Sequence, residues 1–248
     1  MIAYTRKHWK KHFEAIFNDG NIWFMIHSGS RNLGNKVAKH YNAVAEEVCT
    51  KWKHHDIVKN ELAILLVDSD EGQNYLREMN LCLAFAYENR KHMAGAIKQR
   101  FIDVIPECKF LEEININHNY AALERHYKKD VWVHRKGATL ASKETIGIIP
   151  GSQGSCSYIV KGKGSAASLN SCSHGAGRKM SRKKAVENID LEAEIASMNE
   201  KGILHDIKGK QDLEEAPSAY KNIDIVMEEQ KDLVDIIVRL EPLAVVKG

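Results

Sequence analysis

The sequence has no apolar run approaching the roughly 20 residues that a membrane-spanning helix needs, which excludes a helical membrane protein. Its start, MIAYTRKHWKKHFEAIF, lacks the continuous apolar stretch and small-residue cleavage site of a secretory signal, so the cytoplasm is the expected compartment. Paired cysteines are missing too. Cys49, Cys82, Cys108, Cys156 and Cys172 are odd in number, scattered and without a CxxC spacing, which argues against a zinc ribbon or disulfide framework and predicts reduced, structural thiols. No strong charge excess exists: 36 Lys and Arg against 33 Asp and Glu leave a formal net charge of +3, too little to argue for a nucleic-acid partner by itself.

What is present suits a globular chain. In 248 residues, 44% are hydrophobic and 28% charged, enough to bury a core, and one domain over residues 1–248 is expected. Strand-rich and helical stretches alternate without a regular βαβ repeat, which predicts an α+β fold with mixed or antiparallel sheets and flanking helices. The pattern predicts an amphipathic helix over residues 1–19 through Trp9, Phe13, Ile16 and Phe17, then a strand from Asn21 to His27. A helix follows from Asn32 to about Trp52, and the longest helix runs from about Gly72 to Arg100. Asp68 and Asp70 read better as its acidic start than as metal carboxylates. Residues 121–126 look helix-like and Asp130–His134 extended. Thr145–Ile149 and Ser157–Val160 look like paired strands. A helix start is expected at about Lys179, with helices over Glu187–Met198 and Asn222–Asp232 and two strands over Leu233–Val246.

The densest chemistry lies between Pro150 and Arg182. PGSQGSCSYIV and KGKGSAASLNSCSHGAGRKMSR hold a Pro-Gly turn, hydroxyl residues and one histidine between serine and glycine, with few large apolar side chains, so the segment reads as a binding loop. Glycines beside His174 let backbone N–H groups face an anion, and phosphate is the natural guest. His174 could then be a hydrogen-bond donor, a metal ligand or a nucleophile toward phosphorus, and spacing alone leaves the three open, beside the simpler reading of a capped turn. Elsewhere, His27 opens the polar turn Ser28-Gly29-Ser30-Arg31 at a strand end. Asn115–Tyr120 (NINHNY) is a polar cluster, and His134, Arg135 and Lys136 group an imidazole with two cations that would suit a polyphosphate or an RNA backbone. For Arg178, Lys179, Arg182, Lys183 and Lys184 a solvated basic face is the simpler reading.

Taken together, HSGSRNLG, YLREMNLCLAFAYENR, NHNYA, HRKGAT, PGSQGSCSY, SHGAGRKMSR and the ending PLAVVKG, in that order, resemble the RtcB family of RNA-splicing ligases from Gly20 to Gly248. The resemblance implies an RtcB-like fold and GTP- and Mn²⁺-dependent joining of RNA ends bearing a 3′-phosphate or 2′,3′-cyclic phosphate to 5′-hydroxyl ends. It implies His174 as the residue that carries GMP, His27 and His118 as manganese ligands, and nucleotide contacts from His118, Asn119, Pro150, Gly151, Ser152, Gln153, Ser157, Gly175, Ala176, Gly177 and Lys247. Tyr220 falls where the family has an aromatic near the base.

Two departures stand out. Asn117 replaces the first histidine of the family's HHNYA. The DxGCG-type and GGGNHF-type motifs, which supply an aspartate, a cysteine and a histidine to the metals, do not occur here, so the chain reads as N-terminally truncated relative to the family. The alternatives to an autonomous ligase are a ligation-deficient remnant that binds GTP or RNA and half of a split ligase whose partner is a separate N-terminal half. A metal-dependent phosphohydrolase ranks last, because bridging carboxylates are not evident.

Overall fold

The computed structural model describes residues 2–5 and 21–246, and these form an α+β protein with antiparallel sheets. Two compact units result, one built on residues 23–120 together with 2–5, the other on 121–246 together with 21–22. Among the described residues, no helix is long and apolar enough to cross a membrane.

The first unit combines a small sheet with helices. Strands β1 (Ile2–Thr5), β2 (Asn21–Phe24) and β3 (Lys109–Glu113) form a sheet in the order β2-β1-β3, with β1 antiparallel to β3. Residues 2–5 are thus extended where the sequence predicted helix, because they find a partner strand over a hundred positions away. The rest of that predicted helix, residues 6–19, lies outside the described residues. Helix α1 (Leu33–Lys51) buries Tyr41, Ala45 and Cys49, α2 (His55–Lys59) is short, and α3 (Asp70–Val104) runs for 35 residues, about 52 Å at 1.5 Å per residue. Ser69 caps α3 by accepting from the Gly72 N–H, and Asp70 and Glu71 occupy its first turn, as an acidic helix start requires. Gly72 is needed there, since a Cβ would lie 2.1 Å from the Leu66 carbonyl oxygen.

The second unit opens on hairpin β4 (Tyr120–His126) and β5 (Lys129–Arg135), joined by Tyr127 and Lys128, both at positive φ. The helix-like reading of 121–126 is corrected here. Alternate residues of a two-stranded ribbon must face inward, and Glu124 turns in to meet both Arg135 and His126. Strand β6 (Ala138–Leu140) pairs with β9 (Ser171–Ser173), while β7 (Ile146–Ile149), β8 (Ser157–Gly162) and β10 (Val234–Leu240) form an antiparallel sheet ordered β10-β8-β7. The pairing expected around the PGSQG turn is therefore present. Helices α4 (Arg182–Asn188), α5 (Leu191–Glu200) and α6 (Ile223–Glu229) follow, with two 3-10 segments at Lys210–Glu215 and Pro217–Ala219. One core gathers Ile149, Tyr158, Val160, Cys172 and Ala176 with Ile223, Met227 and Val234, and a smaller one holds Met198, Ile203 and Ile207. The ending expected as two strands supplies one, β10, after which Ala244 only bridges Leu204.

Candidate active site

In the first unit, β2 delivers the chain to His27 and β3 delivers it to His118. The two Nε2 atoms are 3.2 Å apart and the rings meet edge to face, with centroids 5.2 Å apart. At that separation one ring donates an N–H to the bare nitrogen of the other. A metal ion could replace that proton, because two nitrogen–metal bonds of about 2.0–2.1 Å at a tetrahedral angle set their nitrogens about 3.3 Å apart. The pair therefore fits two places in a coordination shell. Among the described residues no group of three or more His, Cys, Asp or Glu could hold an ion. Asn119, the next residue, is exposed.

The turn that carries His27 is tightly built. Arg31 and Asn32 are both at positive φ, a costly backbone for residues with a Cβ, and the Ser30 hydroxyl accepts from the Gly34 N–H in the first turn of α1. Helix α3 holds the far side. Asn89 donates to the Gly29 carbonyl at 3.0 Å and the Ser28 hydroxyl at 3.3 Å, while Arg90 reaches the Ser28 carbonyl, Asn115 and Asn117. Sequence reasoning missed both residues, although they belong to the YENR motif. A surface helix signature carried no hint of where its polar face would point.

In the second unit, β9 ends at Ser173 and His174 follows half-buried. Three neighbours set its position. The Ser173 N–H donates to Gln230 Oε1 at 2.9 Å, and the Ser173 hydroxyl donates to the Gly175 carbonyl at 2.6 Å, so both sides of His174 are tethered. Gly137, at φ +77°, closes the HRKGAT turn against the imidazole: a Cβ there would lie 3.9 Å from both Cδ2 and Nε2. The Pro150 carbonyl oxygen would lie 3.2 Å from a Cβ on Gly175, so the PGSQG turn and the histidine loop meet at backbone distance. Gln230 is buried just past α6 and offered no sequence signal.

The PGSQG turn is held by its own hydroxyls. Gly151 N–H donates to Ser157 Oγ at 3.1 Å and Ser152 N–H to Ser155 Oγ at 2.7 Å, and a Cβ on Gly151 would meet the Cys156 carbonyl oxygen at 2.0 Å. Gln153 is half-buried beside them. Of the 175–177 segment, Gly175 and Ala176 are buried, Ala176 within the core, and Gly177 is exposed at φ +71°.

Several expectations are corrected. The helix expected to point its N-terminus at this loop from Lys179 begins at Arg182, capped by Ser181. Residues 178–180 instead bridge to Tyr220, with Lys179 N–H donating to the Ala219 carbonyl. Arg178 is consumed structurally: it donates to the Met180 and Glu214 carbonyls, Glu215 and the Tyr220 hydroxyl, and lies 4.9 Å from the centroid of the Tyr220 ring. Arg182 pairs with Glu215 too, so the basic run is partly neutralised. Burial pulls Glu215 upward, but the Tyr220 hydroxyl and the two guanidinium groups together bring its carboxyl below the usual range. Arg135 does not offer its charge to a polyphosphate. It is 2% exposed and bonded to both oxygens of Glu124, to Ser171 Oγ and to the Leu169 carbonyl. Lys247 lies outside the described residues.

The class so defined is an α+β protein presenting an imidazole pair on one unit and, on the other, a histidine held on a glycine-rich loop. The chain belongs to the tRNA-splicing ligase RtcB family, whose family model matches residues 5–248. It is 36% identical over 245 residues to RNA-splicing ligase RtcB1 of Escherichia coli ATCC 25922, covering 96% of this chain and 59% of that protein. RNA-splicing ligase RtcB of Escherichia coli K12 is 35% identical with the same coverage. The tRNA-splicing ligase RtcB of Nanoarchaeum equitans is 36% identical over 262 residues, 94% of this chain and 54% of that one. The chain thus spans a little over half the length of these relatives.

Proposed function

We propose that this chain is a GTP- and Mn²⁺-dependent RNA ligase that joins a 3′-phosphate or 2′,3′-cyclic phosphate end to a 5′-hydroxyl through a GMP–histidine intermediate. The observation that carries the reading is His174, tethered on both sides by Ser173 and set against Gly137, in a chain of the RtcB family. A neutral ring nitrogen of His174 attacks the α-phosphorus of GTP, the bond to the β-phosphate oxygen breaks and pyrophosphate leaves. A 2′,3′-cyclic end is first opened by water, which breaks the P–O2′ bond to leave a 3′-phosphate. An oxygen of the RNA 3′-phosphate then takes the guanylyl group as the P–N bond breaks. The RNA 5′-hydroxyl finally attacks the activated RNA phosphorus and expels GMP. Covalent catalysis of this kind divides one difficult step into easier ones.

This chain's residues supply position rather than charge. With no side chain at 137, the Cδ2–Nε2 edge of the imidazole stays approachable, and the hydroxyl-stapled turn at 150–157 keeps its backbone rigid beside the loop. His27 and His118 would hold a manganese ion, whose charge would neutralise phosphate oxygens. The described residues give such an ion two ligands.

The test is incubation with Mn²⁺ and α-labelled GTP, followed by denaturing electrophoresis. An acid-labile labelled band that vanishes in His174→Ala is expected. Absence of label in folded protein would overturn the reading and leave a chain that binds nucleotide or RNA without ligating, or one that acts only with a separate N-terminal half.

A further inference from the structure

Two segments far apart in sequence, around Ser28 and over residues 115–117, converge on one guanidinium of α3. Arg90, in the middle of α3 and partly buried, donates from Nε to Asn115 Oδ1 at 2.7 Å, from one terminal nitrogen to Asn117 Oδ1 at 2.8 Å and from the other to the Ser28 carbonyl at 3.2 Å. Ser28 directly follows His27, and Asn117 directly precedes His118. A single rigid fork therefore grips the backbone beside one imidazole and the side chain beside the other, while Asn115 is fixed from its other end by donating to the Tyr87 carbonyl at 3.4 Å. Asn89, one residue earlier, adds its two bonds to Ser28 and Gly29.

We infer that Arg90 is a positioning residue that sets the spacing of His27 and His118, and that Asn117 serves it by accepting one arm of its fork. Burial lowers the guanidinium's pKa, yet it stays charged at any working pH, so the clamp does not switch off. Planarity is essential. Its donors leave in fixed directions that match three acceptors at once, which the single ammonium of lysine cannot do. The same geometry accounts for an asparagine at position 117: its carbonyl oxygen accepts from a cation that a protonated imidazole would repel.

The inference rests on the reading that this pair binds metal, and the experiment separates the two. Mn²⁺ affinity is measured by electron paramagnetic resonance for the intact chain, Arg90→Met, Arg90→Lys, Asn117→Ala, His27→Ala and the double variant Arg90→Met/His27→Ala. Loss of a residue that orients metal ligands costs on the order of 10–100-fold in affinity. Arg90→Met and Arg90→Lys should fall in that range, Asn117→Ala by less, and Arg90→Met should add nothing once His27 is gone, a non-additivity that general loosening of the fold would not produce. A second readout needs no metal: the nuclear Overhauser contact between ring C–H protons of His27 and His118 should weaken in Arg90→Met. Failure of the intact chain to bind Mn²⁺ would sink the metal reading alone, and the ring contact would then decide the clamp. Unchanged ring contact in folded Arg90→Met, or an equal loss of affinity with and without His27, would overturn the inference.

Discussion

Gln230 shows how one buried amide can matter more than a charged neighbour. Its Oε1 accepts from the Ser173 N–H and its Nε2 reaches Met227 Sδ at 3.3 Å, so the backbone entering His174 hangs from the end of α6. Gln230→Leu keeps the volume and removes the acceptor. Leaving a buried N–H unmet costs about 1–3 kcal/mol, to be read from the urea midpoint, and labelling of His174 by α-labelled GTP should slow, whereas Gln230→Glu, which keeps an acceptor oxygen, should retain more of the rate. Cys172 makes a second point at this scale. It is 4% exposed, and burial pushes its thiol up to about 11, with Arg135 pulling weakly the other way. Thiolate is the reactive form, so iodoacetamide at pH 8 should leave Cys172 unmodified in the native protein and modify it in guanidinium, as read by mass spectrometry.

Among elements, the β4–β5 hairpin is held by a charge beneath it. Arg135 forks onto Glu124, and His126 Nε2 lies 2.9 Å from the same carboxylate. The guanidinium first, and His126 with it, hold the Glu124 carboxyl below its ordinary value against the opposing effect of burial. The folded carboxyl is the stronger acid, so this stabilisation is fully present above the unfolded value of about 4.3 and is lost as pH falls through the lower folded value. Glu124→Gln strands a buried cation and should cost about 3–5 kcal/mol in urea unfolding at pH 7, with the gap from the intact chain narrowing toward pH 3. The turn that follows β5 is equally constrained. Gly137→Ala forces a Cβ into a left-handed backbone, costing about 1–2 kcal/mol, and sets a methyl beside the Nε2 edge of His174, so labelling should drop as stability falls.

At the scale of the whole chain, ligands provide the sharpest check. A ligand that binds only the folded state at 100 times its dissociation constant adds about 2.7 kcal/mol. For a chain of this size that raises the melting temperature by roughly 5–10 °C. Scanning calorimetry with GTP and Mn²⁺ together should show such a rise, smaller with either alone. His118→Ala should lose the Mn²⁺-dependent part and His174→Ala should retain most of the non-covalent part, and no shift with any combination would count against nucleotide binding.

The sequence by itself determined the family, the α+β class, the paired strands around the PGSQG turn and the acidic start of α3, because local spacing, turn chemistry and helix-end charge are written in neighbouring residues. It also pointed to His27 and His118, and the tertiary structure brings their rings together from positions 91 residues apart. Only that structure decided which polar residues are scaffold. Arg135 looks like a phosphate ligand in sequence and Arg178 like part of a solvated basic face, yet both are spent inside the protein, on Glu124 and on Glu215 with Tyr220. Residues 121–126 read as helix until a hairpin partner claims their alternate side chains, and residues 178–180 read as a helix start until Tyr220 bridges them. Gln230 and Arg90 gave no signal, since a buried hydrogen bond is a property of two distant segments meeting, and no pattern within either segment encodes the encounter.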